Sequence, residues 1–138
     1  MKVKEDHKKG LLEEFEFVSK MMRETPATDT KLFYFSGIYG ALSRIFNLNF
    51  DSHLVFIHNV LNSAYSSIMA RIAATKGGDS SISLPDDFFD KLSSYLDELA
   101  QKIKENKPAY DTLEKISLLT FATTGNGYYL IKRGVIKL

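Results

Sequence analysis

Leu11, Phe15, Val18 and Met22 recur every three or four positions near the start of the chain. Leu12 and Phe17 widen the stripe, and Glu13, Glu14 and Glu16 interrupt it with charge. That period predicts an amphipathic helix over about residues 5–24. Thr25-Pro26 ends it, because proline pushes the preceding residue out of helical backbone. Phe35, Ile38, Tyr39, Leu42, Ile45 and Phe46 form a second stripe over about 30–47, with Asp29 or Thr30 as cap. Leu54, Ile57, Leu61, Ala64, Ile68 and Ile72 form a third over about 52–75, behind Asp51 or Ser52. The clearest stripe is the fourth, over about 85–105. Phe88, Leu92, Tyr95, Leu96, Leu99 and Ile103 fill one face, and Asp90, Lys91, Asp97, Glu98, Lys102 and Lys104 stay out of it. Tyr110, Leu113, Ile116 and Thr120 predict a fifth helix over about 109–122.

The third stripe meets the fourth through ATKGGDSSISLPDD, residues 74–87. A Gly-Gly pair invites comparison with a phosphate loop, but such loops follow a strand and open a helix. Here the glycines follow a helix, where a left-handed cap is wanted, and Lys76 suits the negative end of the dipole. Pro85 suits a first helical turn and Asp86 and Asp87 its positive end, where they would repel a phosphate. The stretch is read as a stop signal, a loop and a start signal. Further on, residues 123–127 are a breaker cluster. Residues 128–131 and 135–137 pair as a hairpin across Arg133-Gly134 or, alternatively, a helix resumes and Gly134 caps it.

These elements predict a single all-α domain over residues 1–138: a four-helix bundle with an additional N-terminal helix and a short C-terminal hairpin or helix extension. Composition agrees with a globular chain, at 44% hydrophobic and 25% charged residues. The third helix is unusual in carrying no Lys, Arg, Asp or Glu from 52 to 70. Length alone would fit a membrane span, but His53, His58, Asn59 and Asn62 are costly in hydrocarbon, so an enclosed bundle helix is expected and no membrane. With no cysteine, thiolate chemistry, disulfides and iron–sulfur ligation are excluded, which fits a cytoplasmic location. A net charge of +1 gives no field to attract nucleic acid.

Candidate chemistry is sparse. His53 and His58 are five apart and diverge around a helix, whereas a helical metal pair needs a spacing of three or four. His53 is expected to be exposed or capping and His58 to be hydrogen-bonded at the core edge. Asp86, Asp87 and Asp90 are explained by the helix dipole rather than by a cation. No catalytic residue, metal site or cofactor is assigned. Two groups remain as contact candidates. Ser36, Gly37, Gly40 and Ser43 form a small-residue face on the second helix, fitted for close approach of another helix, within the chain or from a second copy. Tyr128, Tyr129, Lys132 and Arg133, with Lys137, combine rings and positive charge in the tail, as single-strand binders do, but are too few to make nucleic acid the expected partner.

The middle of the chain also carries a resemblance. A helix ending Arg71-Ile72-Ala73-Ala74-Thr75-Lys76 precedes an Ile82-Ser83-Leu84-Pro85-Asp86-Asp87 helix start and then Lys91-Leu92-Ser93-Ser94-Tyr95-Leu96-Asp97-Glu98-Leu99. This stretch, within residues 57–105, resembles the central part of the ATP-dependent cobalamin adenosyltransferases. The resemblance implies a helix bundle that assembles as a trimer. That family's Thr-Gly-Asp-x-Gly phosphate loop has no counterpart in residues 1–31, nor its arginine-rich last helix in 110–138, so no catalytic residue carries over. The expected function is that of a non-enzymatic, self-associating helical protein, a homo-oligomer with an interaction or structural role. The alternatives are an adenosyltransferase-like enzyme binding a nucleotide or corrinoid, and an accessory subunit contacting nucleic acid through its basic tail.

Overall fold

Five α-helices account for nearly all of the computed structural model, which describes residues 4–48, 50–120, 133 and 134, without the side chains of Phe46 and Ser81. In chain order they are α1 (Glu5–Glu24), α2 (Thr28–Leu48), α3 (Ser52–Lys76), α4 (Phe88–Lys104) and α5 (Tyr110–Thr120), with a 3-10 turn at Ser80–Ile82. No strand occurs among the described residues. The protein is all-α, as the periodicities require.

Each helix buries most of the stripe that predicted it; Tyr110, which the α5 pattern placed inside, is instead 62% exposed because it stands at the first turn beside the α4–α5 connection. Phe15, Val18, Met22, Phe35, Ile38, Leu42, Leu54, Ile57, Leu61, Leu92, Leu96 and Leu99 lie at one per cent exposure or less in one continuous core. α1 packs against α2 and α4, α2 against α3, and α5 fills the seam between α3 and α4. The N-terminal helix thus lies on the bundle along the side between α2 and α4. Ser19 and Ser93, both buried, mark where α1 and α4 come close, and the Ser19 hydroxyl donates to the Ser93 carbonyl at 3.2 Å.

The helix ends follow local chemistry. Thr25, ahead of Pro26, leaves α1 with an extended backbone at ψ 127°. The Asp51 carboxylate caps α3, accepting from the peptide N–H groups of His53 and Leu54 at 3.0 Å each. α3 and α4 end in the same motif. At the first, Gly78 is left-handed at φ 99°, its N–H returns to the Thr75 carbonyl, and the Asp79 N–H returns to Ala74. At the second, Asn106 is left-handed at φ 55°, its N–H returns to Ile103, and the Lys107 N–H returns to Lys102. Both are Schellman caps, one built on glycine and one on asparagine. The Gly-Gly stretch is the end of a helix.

Two boundaries differ from expectation. α2 begins at Thr28, so Asp29 and Thr30 lie inside its first turn; the Asp29 carboxylate instead pairs with Lys76 at 3.2 Å. α4 begins at Phe88, because residues 85–87 form a turn in which the Phe88 N–H bonds to the Pro85 carbonyl. A proline start fits either a turn or a helix, and the turn holds here. The hairpin or helix extension expected after residue 125 lies outside the described residues, apart from Arg133 and Gly134, which form a turn with Gly134 at φ 74°.

Candidate functional site

The α2 face singled out by its small residues divides between two neighbours and solvent. Gly37 abuts α1: a Cβ there would meet Glu14 Oε1 at 3.0 Å and Val18 Cγ2 at 3.9 Å. Ser43 turns toward α3 and shares a hydrogen bond of 3.0 Å with His58 Nε2. Ser36 bonds back to the Phe33 carbonyl at 2.6 Å, within its own helix. Gly40 faces outward, and a Cβ there would meet nothing within 4 Å. The residues are neighbours on one helix, yet only part of the face is open.

Beside that opening stand aromatic rings. Phe33, one turn before Gly37, is 69% exposed, and Phe17 of α1 is 48% exposed. The half-buried Tyr34 ring lies edge-on to both, with centroids at 5.8 Å from Phe17 and 5.7 Å from Phe33. Leu48 ends the same helix at 70% exposure. From Phe33 to Leu48 the outer surface of α2 runs about 22 Å at the rise of an α-helix. Arg44 is the one charged residue between those two.

Hollows lined by the described residues indent the surface, three of them wide enough to consider. The first, about 340 Å³, lies at the end of the bundle where α2 starts and α3 stops; it is lined by Ala27, Thr28, Asp29, Ile72, Thr75, Lys76, Ser83 and Leu84. The second, about 420 Å³, is a groove between α1 and Lys104 of α4 with Glu5, Lys8, Lys9, Leu12, Glu13 and Glu16. The third, about 140 Å³, lies at the opposite end of the bundle from the first, between His53 and the α4–α5 connection. In the first two, lysines already face carboxylates on the same wall.

Two side chains that periodicity does not single out hold polar joints of the bundle. Arg71 is buried at 6% exposure. It donates from Nε to Ile82 O at 2.9 Å, from Nη1 to Leu119 O at 3.2 Å and from Nη2 to Ser83 O at 3.4 Å, with its guanidinium 5.4 Å from the Phe88 ring. Burial lowers its pKa. Lys8, also buried, reaches Asn106 Oδ1 at 3.0 Å and ties the start of α1 to the end of α4. Contrary to the expectation of an exposed or capping side chain, His53 is neither, because Asp51 takes the cap and Tyr110 stands against the ring. Its ring is half-buried, edge-on to Tyr110 at 5.5 Å, and burial lowers its pKa. His58 stands at the core edge as expected, beside Ser43 and 6.1 Å from the Tyr39 ring. The Tyr39 hydroxyl is shifted upward by burial and by Tyr65, whose ring lies 5.4 Å away.

Among the described residues no three His, Asp or Glu side chains gather closely enough to hold a metal ion. Nor is any described helix long and apolar enough to cross a membrane. Of the tail candidates, Arg133 is exposed, and Tyr128, Tyr129 and Lys132 lie outside the described residues, as does Lys137. Set against protein-family models, curated proteins and solved structures, the chain matches none of them.

Proposed function

We propose that the chain is a self-associating helical interaction protein with no chemistry of its own, and that copies meet along the outer surface of α2. One observation carries the reading: a ring at 69% exposure, Phe33, stands two turns from an open glycine, Gly40, on the same helix face. Apolar groups grouped on a surface favour a partner over water. A ring that projects and a glycine that leaves space are complementary, so a two-fold pairing lets each copy's Phe33 lie over the other's Gly40. Phe17 and Ser36 border the contact, and Gly37 and Ser43 remain engaged within their own chain. The absence of cysteine supports placing this assembly in the cytoplasm. The adenosyltransferase resemblance adds an architecture, a bundle that works assembled with copies of itself.

The test is the mass of the full chain in solution by light scattering across a concentration series. An oligomer is expected, and Phe33→Asp and Gly40→Leu should each dissociate it while leaving the helical circular dichroism intact. A clean monomer at the highest concentration reached overturns the proposal. A thermal shift with ATP or a corrinoid would replace it with the adenosyltransferase-like alternative.

A further inference from the structure

We propose that the hollow between the first turn of α3 and the α4–α5 connection is a binding site for a small oxyanion, a carboxylate or phosphate group of few heavy atoms. Its lining is His53, Asn106, Lys107, Pro108 and Tyr110, around about 140 Å³. Sites for drug-sized ligands span about 300–1,000 Å³, so this one takes a single small group.

The chemistry of the lining selects the sign of the ligand. Each polar side chain there is a donor or can become one, and no carboxylate is among them. The other two hollows differ, since Asp29 faces Lys76 in one and Glu5, Glu13 and Glu16 stand among lysines in the other. The Lys107 ammonium contacts Glu105 at 2.9 Å, which occupies one of its three N–H groups. Asn106 accepts from Lys8 through Oδ1, so its amide N–H groups are what it offers a ligand. Its left-handed backbone, fixed by the Schellman cap, sets where that amide stands.

An independent sign of incompleteness comes from His53. Its Nε2 is buried and has no hydrogen-bond partner among the described residues. A buried polar atom left unpaired is costly, and an oxygen placed in the hollow supplies the missing partner. The ring is already held for it: Tyr110 lies edge-on at 5.5 Å, and the Asp51 cap grips the residue's own peptide N–H. Burial acts on its charge first, and Asp51 on its own helix cap acts against it; Lys107 and Tyr110 face it across the hollow. Burial keeps the imidazole below its ordinary pKa, and a bound anion favours the imidazolium.

The test follows the imidazole signals of the full chain by NMR at constant ionic strength, titrating inorganic phosphate, acetate and chloride separately. Phosphate or acetate should move His53 to saturation and raise its pKa. His58, which is bonded to Ser43 on α2, should stay still. Lys107→Ala should weaken binding about tenfold, the loss of one charge-assisted hydrogen bond. His53→Asn should do the same, read from the Tyr110 backbone amide. If that variant does not fold, Lys107→Ala decides, because Lys107 is exposed. No saturable response, an equal response to chloride, or unchanged affinity in Lys107→Ala overturns the proposal. Whichever of phosphate and acetate binds tighter names the ligand class. The oligomer test reads α2 and is indifferent to this result.

Discussion

α4 and α2 both bury one clean stripe, but they meet water differently. α4 and its flanks are covered by ion pairs: Arg23 with Asp97 at 2.8 Å, Lys115 with Glu98 at 3.1 Å, and Lys91 with Asp87 at 3.3 Å. α2 shows solvent Phe33, Gly40, Arg44 and Leu48, and along its middle joins α3 through uncharged contacts, Ser43 with His58 and Tyr39 with Tyr65, with one ion pair at its start, Asp29 with Lys76. A charged surface is stable against water on its own and resists association, whereas a neutral one with protruding rings gains by being covered. The contrast teaches that amphipathicity alone does not separate a solvent-facing helix from a contact helix. What lies on the outer face does.

The α2–α3 half buries an arginine, Arg71, and the largest effect should come from there. Arg71→Met is expected to cost about 3 kcal/mol, because the carbonyls of Ile82, Ser83 and Leu119 lose their donor while the apolar stem is kept. Urea denaturation measures it. A loss under about 0.5 kcal/mol, the range of ordinary surface substitutions, would show that those joints carry little.

A smaller effect should separate the two glycines of α2. In the Phe33→Asp background, where no partner ring covers the site, Gly40→Ala is expected to stabilise the fold by about 0.5–1 kcal/mol, since it removes helical glycine where space is open. Gly37→Ala should gain less, because its Cβ presses the Glu14 carboxylate. Equal shifts in the denaturation midpoint of the two variants would mean that α1 approaches no closer to Gly37 than solvent does. The smallest effect belongs to the charged half. Asp97→Asn should cost under about 1 kcal/mol, and the loss should shrink in high salt, since Arg23 and Asp97 are 40% and 48% exposed. A larger, salt-insensitive loss would place that pair in the load of the α1–α4 seam.

Much of the fold was legible because the signals are local. α1 runs from Glu5 to Glu24 as its stripe and Thr25-Pro26 require, and Asp51 and Gly78 start and stop α3. Where two local signals compete, the reading slipped: Asp29 and Thr30 are good caps, yet the helix had already begun at Thr28. Asn106 ends α4 as a left-handed cap whose side chain also accepts from Lys8, a partner that no local pattern announces. The small-residue face was visible as a set, but its division among α1, α3 and solvent was not.

Period, prolines and caps, each acting over a few residues, determined by themselves that this chain is helical and which side of each helix turns inward. The tertiary structure decided what no local signal encodes. Arg71 is held inside where the α3–α4 connection and the end of α5 bring carbonyls to it, and His53 keeps a nitrogen unpaired among the described residues while Tyr110, far along the chain, stands edge-on to its ring. Burial of a polar group depends on the partners that folding brings to it, and some of these, Leu119 and Tyr110, stand dozens of residues away.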